Sequence, residues 1–98
     1  MKYTFVVSAR AELREAVELY NGHRPGLGEE LSEEVRQAIS RILQSPASWK
    51  RLSENTHQCR VNRFPYFLIY QIKPDRIRIV AVAHFRRRPN YWRSRLPS

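Results

Sequence analysis

The chain has a single cysteine, Cys59, three glycines and nine acidic residues in 98. One cysteine excludes an internal disulfide, cannot by itself build a zinc site, and makes no demand for an oxidising compartment. A small residue half-buried on a strand is its expected role. No apolar run reaches the length of a membrane span, and Met1-Lys2-Tyr3-Thr4-Phe5-Val6-Val7 is too short an apolar stretch for a signal peptide. A soluble, cytoplasmic protein is expected. The glycines at 22, 26 and 28 follow no strand and precede no Lys-Ser or Lys-Thr, so they do not form a phosphate-cradling loop. The carboxylates Glu29, Glu30, Glu33 and Glu34 crowd the first turns of a helix, where its dipole favours them. They read as a solvated face rather than a metal site, and no metal or cofactor is expected.

The shortage of acid is confined to one half. Residues 1–48 carry six Lys or Arg against seven Glu, whereas residues 49–98 carry twelve against two. This asymmetry points to a polyanion or an acidic partner meeting the C-terminal half. A chain of this length makes one domain, residues 1–98, with a modest core and no deep pocket.

Tyr3, Phe5 and Val7 alternate with Lys2, Thr4 and Val6, the period of a half-buried strand. Ser8 offers an N-cap to a helix whose apolar stripe is Ala9, Leu13, Ala16, Val17 and Tyr20, with Arg10, Glu12, Arg14, Glu15 and Glu18 around the rest. Asn21-Gly22 is expected to end it. The stretch Asn21 to Gly28 then reads as a turn, and Leu31, Val35, Ala38, Ile39, Ile42 and Leu43 line a second helix that stops at Ser45-Pro46. After a loop holding Trp49, Lys50 and Arg51, residues 57–62 make a weakly alternating strand. Tyr66 to Ile72 is apolar on both faces, so both must be covered. Pro74-Asp75 turns into a last strand in which Ile77, Ile79, Ala81 and Ala83 alternate with Arg76, Arg78, Val80, Val82 and His84.

The expected fold is therefore α+β, in the order β-α-α-β-β-β, with two antiparallel helices packed on one face of a small, mainly antiparallel sheet. The other face is expected to offer a shallow apolar groove of Phe67, Ile69, Val80 and Val82 to a partner. Tyr91 and Trp92 are expected to fold back over the sheet edge or the helices.

The element order, the Arg63-Phe64-Pro65-Tyr66 lead into an apolar strand ending in Ile69-Tyr70, the Ala81-Val82-Ala83-His84 strand end and the Arg86-Arg87-Arg88-Pro89-Asn90-Tyr91-Trp92 tail together resemble the RelE/ParE superfamily of bacterial toxins. Tyr20, Arg24-Pro25-Gly26-Leu27-Gly28-Glu29 and Leu43-Gln44-Ser45-Pro46 extend the resemblance over nearly the whole chain. It implies the stable toxin of a type II toxin–antitoxin pair, of the kind that includes plasmid stabilisation systems. A partly disordered cognate antitoxin would wrap and neutralise it, forming a toxin–antitoxin hetero-oligomer with no part for a membrane.

The superfamily divides into two chemistries. ParE-like members inhibit DNA gyrase by binding; RelE-like members cleave mRNA on the ribosome with cations, and an aromatic near the C-terminus, placed on the open sheet face. Ribonuclease members often carry an arginine one residue into the central strand, where this sequence has Phe67. That substitution favours the ParE-like branch, and the resemblance then implies partner- or nucleic-acid contacts by Arg63, Phe67, Ile69, Arg76, Arg78, Arg86, Arg87, Arg88 and Trp92. The alternative is an endoribonuclease using His84, Arg86 and Arg60 with Tyr91, or Trp92, as the stacking ring; His57 or Glu54 would be the partner of His84. A third reading, a basic nucleic-acid-binding module without toxicity, accounts for the charge but not for the apolar second face.

Overall fold

A computed structural model describes residues 1–97. Strand β1 (Lys2–Phe5) leads directly into helix α1 (Val7–His23), which turns back into helix α2 (Leu27–Gln44). A 3-10 turn at Pro46–Ser48 precedes the short β2 (Lys50–Arg51), then β3 (Thr56–Arg60), β4 (Tyr66–Ile72) and β5 (Arg76–His84). The five strands form one sheet in the order β1-β5-β4-β3-β2; β1 runs parallel to β5 and every other pair is antiparallel. The α+β architecture and its order agree with the sequence reading, with Lys50 and Arg51 adding a short edge strand in place of loop.

Both helices lie on one face. Leu31, Val35, Ala38 and Ile42 of α2 and Ala9 and Ala16 of α1 meet Tyr66, Leu68, Tyr70, Ile77, Ile79 and Val82 of the sheet in the main core. The α1 boundaries differ from those expected. Val6 occupies the N-cap and has no polar side-chain atom to make a cap bond; its N–H donates to the Ile79 carbonyl at 2.9 Å as the chain leaves the sheet. Its C-terminus runs through Asn21 and Gly22 to His23, so Gly22 and Gly28 belong to helices and only Gly26, at φ +91°, sits in the turn. Asn21 does not break the helix; its Oδ1 accepts the N–H groups of Gly26 (3.1 Å) and Gly28 (2.8 Å) and so shapes the turn.

The face assignment of β5 also needs correction. Ile69 pairs with Ala81 and Tyr70 with Ile79, so β5 carries a bulge at Val80. One extra residue reverses the alternation beyond it. Val82 therefore joins the helix-side core, while Val80, Ala81 and Ala83 share the far face with Ile69 and Phe67. That face is not an open groove. The C-terminal segment crosses it, placing Trp92 at 4% exposure against Ile69, Val80, Ala81 and Ala83, with Tyr91, Leu96 and Leu52 packed around them. The expected folding back of Tyr91 and Trp92 is observed, over the sheet rather than merely at its edge. No helix among the described residues is long and apolar enough to cross a membrane.

Candidate functional site

The site grows from the end of β5 and the turn that follows it. Directly opposed residues on neighbouring strands share a face. Arg60 opposes Phe67, and Phe67 opposes Ala83, so Arg60 and Phe67 stand on the far face. Tyr66 opposes His84, and Tyr66 belongs to the helix-side core. Arg60 and His84 thus leave the sheet on opposite sides.

On the far face the Phe67 and Phe85 rings lie 4.7 Å apart, and the Arg60 guanidinium stands 5.0 Å from the Phe85 ring. Phe85 is 40% exposed. A shallow hollow of about 250 Å³ beside this stack is lined by Gln58, Phe67, Phe85, Arg87, Arg88 and Asn90 among others, with no carboxylate among the described residues. Arg60, Arg86, Arg87 and Arg88 are exposed and form no ion pair among the described residues. The surface is cationic and aromatic, suited to a polyanion or an acidic segment.

His84 stands at the rim of this hollow and of a second, smaller one against α1. Its ring meets Tyr66 edge-on at 5.1 Å, and the Arg86 backbone N–H donates to His84 Nδ1 at 3.0 Å. A backbone N–H can only donate, so Nδ1 accepts and the neutral ring carries its hydrogen on Nε2. Neither expected partner reaches it. His57 opposes Tyr70, four residues or roughly 13 Å along β4 from Tyr66. There it stacks on the Tyr70 ring at 5.6 Å and, with Glu54 and Arg51, lines a separate hollow.

Tyr91 is committed elsewhere. Its hydroxyl donates to Glu12 Oε2 at 2.7 Å, and burial first, then this bond, raises its pKa. Glu12 reaches this point from α1, passing the stretch of β5 that β1 leaves unpaired. Its Oε1 accepts Val82 N–H (3.0 Å), and both oxygens take Arg95 (2.9 and 3.0 Å), whose Nη1 also donates to the Val80 carbonyl at 3.0 Å. Two side chains thereby satisfy the free edge of the strand. Glu12 was expected on the solvated side of α1, yet its side chain is only 15% exposed; nothing in a helical period distinguishes it from Glu15 or Glu18.

The remaining candidates are distributed as follows. Ile69 and Trp92 are buried, at 2% and 4% exposure, and form the floor of the hollow beside Phe67. Arg78 is held by Gln71 Oε1 (2.7 Å) and the Arg95 carbonyl (3.4 Å), and Arg76 pairs with Asp75 at 3.0 Å. Arg63, in the left-handed region at φ +71°, clasps Glu30 at 2.7 Å and Glu34 at 3.5 Å. That contact holds the Glu30 carboxyl below its ordinary range. The structure thus gathers Arg60, Phe67, Arg86, Arg87, Arg88 and Tyr91 around one end of β4 and β5, adds Phe85 to them, and leaves Arg63, Arg76 and Arg78 in structural pairings. No cluster of metal-ligating side chains occurs among the described residues.

The family described as "ParE toxin of type II toxin-antitoxin system, parDE" matches residues 3–89. The chain belongs to this family. Among solved structures, it is similar to the chromosomal ParDE toxin–antitoxin system from P. aeruginosa, with a TM-score of 0.74 and 15% identity over 86% of this chain and 95% of that one. It is also similar to the YoeB dimer from Staphylococcus aureus, with a TM-score of 0.60 and 14% identity over 86% and 95% of the two chains. At such identities these likenesses establish the shared fold. A comparison with curated proteins found no match. The protein is a toxin of the type II toxin–antitoxin class, within the RelE/ParE superfamily.

Proposed function

We propose that this ParE-family toxin acts by binding, inhibiting DNA gyrase through the cationic and aromatic surface at the end of β4 and β5, in the cytoplasm where that target is met. The observation that carries this reading is the absence of a free proton acceptor on that surface among the described residues. His84 Nδ1 is occupied by a backbone N–H, and the Tyr91 hydroxyl is bonded to Glu12. Arginines stay protonated and cannot act as ordinary bases. Cleavage of RNA through its 2′-hydroxyl needs an acceptor for that proton, whereas a binding surface needs only the cations and rings present here.

A cognate antitoxin is the second partner in this reading. The ParDE neighbour comes from a toxin–antitoxin system, and the uncompensated arginines suit an acidic, amphipathic segment that folds as it binds. Masking Arg86, Arg87 and Arg88 would then neutralise the toxin in a hetero-oligomer.

One feature favours the ribonuclease reading: Arg60 over the exposed Phe85 ring forms a cation and stacking pair of the kind that holds an unpaired base. A single comparison separates the two. The purified chain is titrated into a gyrase supercoiling reaction and into cell-free translation with primer extension on the mRNA. Inhibited supercoiling with intact mRNA supports the binding reading. New ribosome-dependent 5′ ends with normal supercoiling overturn it.

A further inference from the structure

The Glu12 network does more than hold the tail against the sheet. Two guanidiniums share the Tyr91 ring, Arg87 at 3.9 Å from its centroid and Arg95 at 5.1 Å. Glu12 neutralises one of them, Arg95, through a two-bond pair. Arg87 faces no carboxylate within ion-pair distance among the described residues; it is exposed and borders both hollows that flank the end of β5. The Glu12 carboxylate is itself fixed by the Val82 N–H, so its position is set by the sheet. An unbroken chain of contacts therefore runs from the backbone of β5 through Glu12 and the Tyr91 hydroxyl to the one arginine of the Arg86-Arg87-Arg88 run that lies on a ring.

Resting on the reading of this surface as the part that engages the target, we propose that Glu12 and Tyr91 are positioning residues for Arg87. Glu12 fixes the Tyr91 hydroxyl, and the fixed ring holds the Arg87 guanidinium in the orientation that meets an anionic group of the target. A long side chain immobilised beforehand saves the ordering cost of binding, worth roughly two- to tenfold in affinity for each such residue. Arg86 and Arg88, which meet no aromatic ring among the described contacts, gain nothing from Glu12.

The test uses the full chain and a double-mutant cycle on Tyr91→Phe and Arg87→Ala. Tyr91→Phe keeps the ring in the core and removes only the hydroxyl tether; Glu12→Gln is the companion variant, in which the charge is lost. Each is expressed from a titratable promoter without antitoxin, and the dose that halves growth is read beside the ring-current shift of the Arg87 side-chain protons by NMR. Tyr91→Phe and Glu12→Gln should each raise the dose about two- to tenfold and move the Arg87 resonances toward free-arginine positions. Arg87→Ala should raise it at least as much, and Tyr91→Phe with Arg87→Ala no further than Arg87→Ala alone. A tether that only stabilises the tail would instead give additive losses. Additivity, an unchanged Arg87 resonance in Tyr91→Phe, an unchanged dose, or a wild-type chain that arrests no growth overturns the proposal. Gyrase supercoiling is measured on the same proteins. Growth arrest without inhibited supercoiling removes the gyrase reading, and the cycle still decides the positioning roles.

Discussion

The backbone N–H of Arg86 donates to the ring of His84 at Nδ1, 3.0 Å away, so the imidazole closes the turn after β5. This bond makes the acceptor at that position the feature of His84 that matters. His84→Asn, whose side-chain oxygen offers an acceptor near the same place, should leave toxicity within about twofold of wild type. His84→Ala orphans the Arg86 N–H and should cost about 1 kcal/mol of stability. Growth arrest and thermal unfolding of the two variants check both statements. An Asn variant that folds normally and loses all toxicity would restore an acid–base role to His84.

The two helices meet through glycine. A Cβ on Gly28 would collide with the Val17 carbonyl oxygen and come within 2.7 Å of Asn21 Cγ, while one on Gly22 meets nothing within 4 Å. The former clash involves backbone and cannot be relieved by a rotamer change. Gly28→Ala should therefore destabilise by about 1–3 kcal/mol. Gly22→Ala lies within α1 in open space and should stabilise by about 0.5–1 kcal/mol. Thermal melts of the two variants should move in opposite directions.

Much of this fold can be read from periodicity. The α2 stripe and the doubly apolar β4 fixed the layers, and the charge asymmetry marked the half that carries the free arginines. What periodicity could not carry is a change of phase. The bulge at Val80 moves Val82 to one face and Ala81 to the other, and no residue near it, such as glycine, announces the extra position. Glu12 is hidden for a related reason: its partners Tyr91 and Arg95 are 79 and 83 residues away, and a helix face records only that a position is polar. Arg63 shows a pairing within the chain that charge alone does not disclose. Its charge suggested a partner, but the left-handed backbone after β3 turns it toward Glu30 and Glu34 of α2.

Trp92 reads as a tail residue in the sequence and as a core residue in the fold. Trp92→Ala should lower stability by about 3 kcal/mol, a fall of roughly 15 °C in Tm for a domain of this size. Arg88→Ala, four residues earlier and exposed, should change stability by less than about 0.5 kcal/mol. Loss of toxicity in Arg88→Ala at unchanged Tm would then report the surface alone, whereas any loss in Trp92→Ala must be referred to the fraction folded.

Acid sensitivity should centre on His57. The ring is buried against Tyr70, its Nδ1 has no hydrogen-bond partner, and burial first, then the nearby Arg51, pulls its pKa below the ordinary 6.5. Protonation would place a second N–H on a ring that offers Nδ1 no acceptor, with Glu54 at the mouth of the same hollow as the only carboxylate lining it among the described residues. The unfolded chain therefore binds the proton more readily than the folded one. The contribution of His57 is complete above pH 6.5 and is lost as pH falls through the lower, folded value, with a slope of at most about 1.4 kcal/mol per pH unit. Denaturant midpoints between pH 7.5 and 5 should fall for wild type. In His57→Phe, which keeps a ring against Tyr70 and cannot titrate, the part of that slope below pH 6.5 should disappear. A slope unchanged by the substitution would place the acid sensitivity in another group.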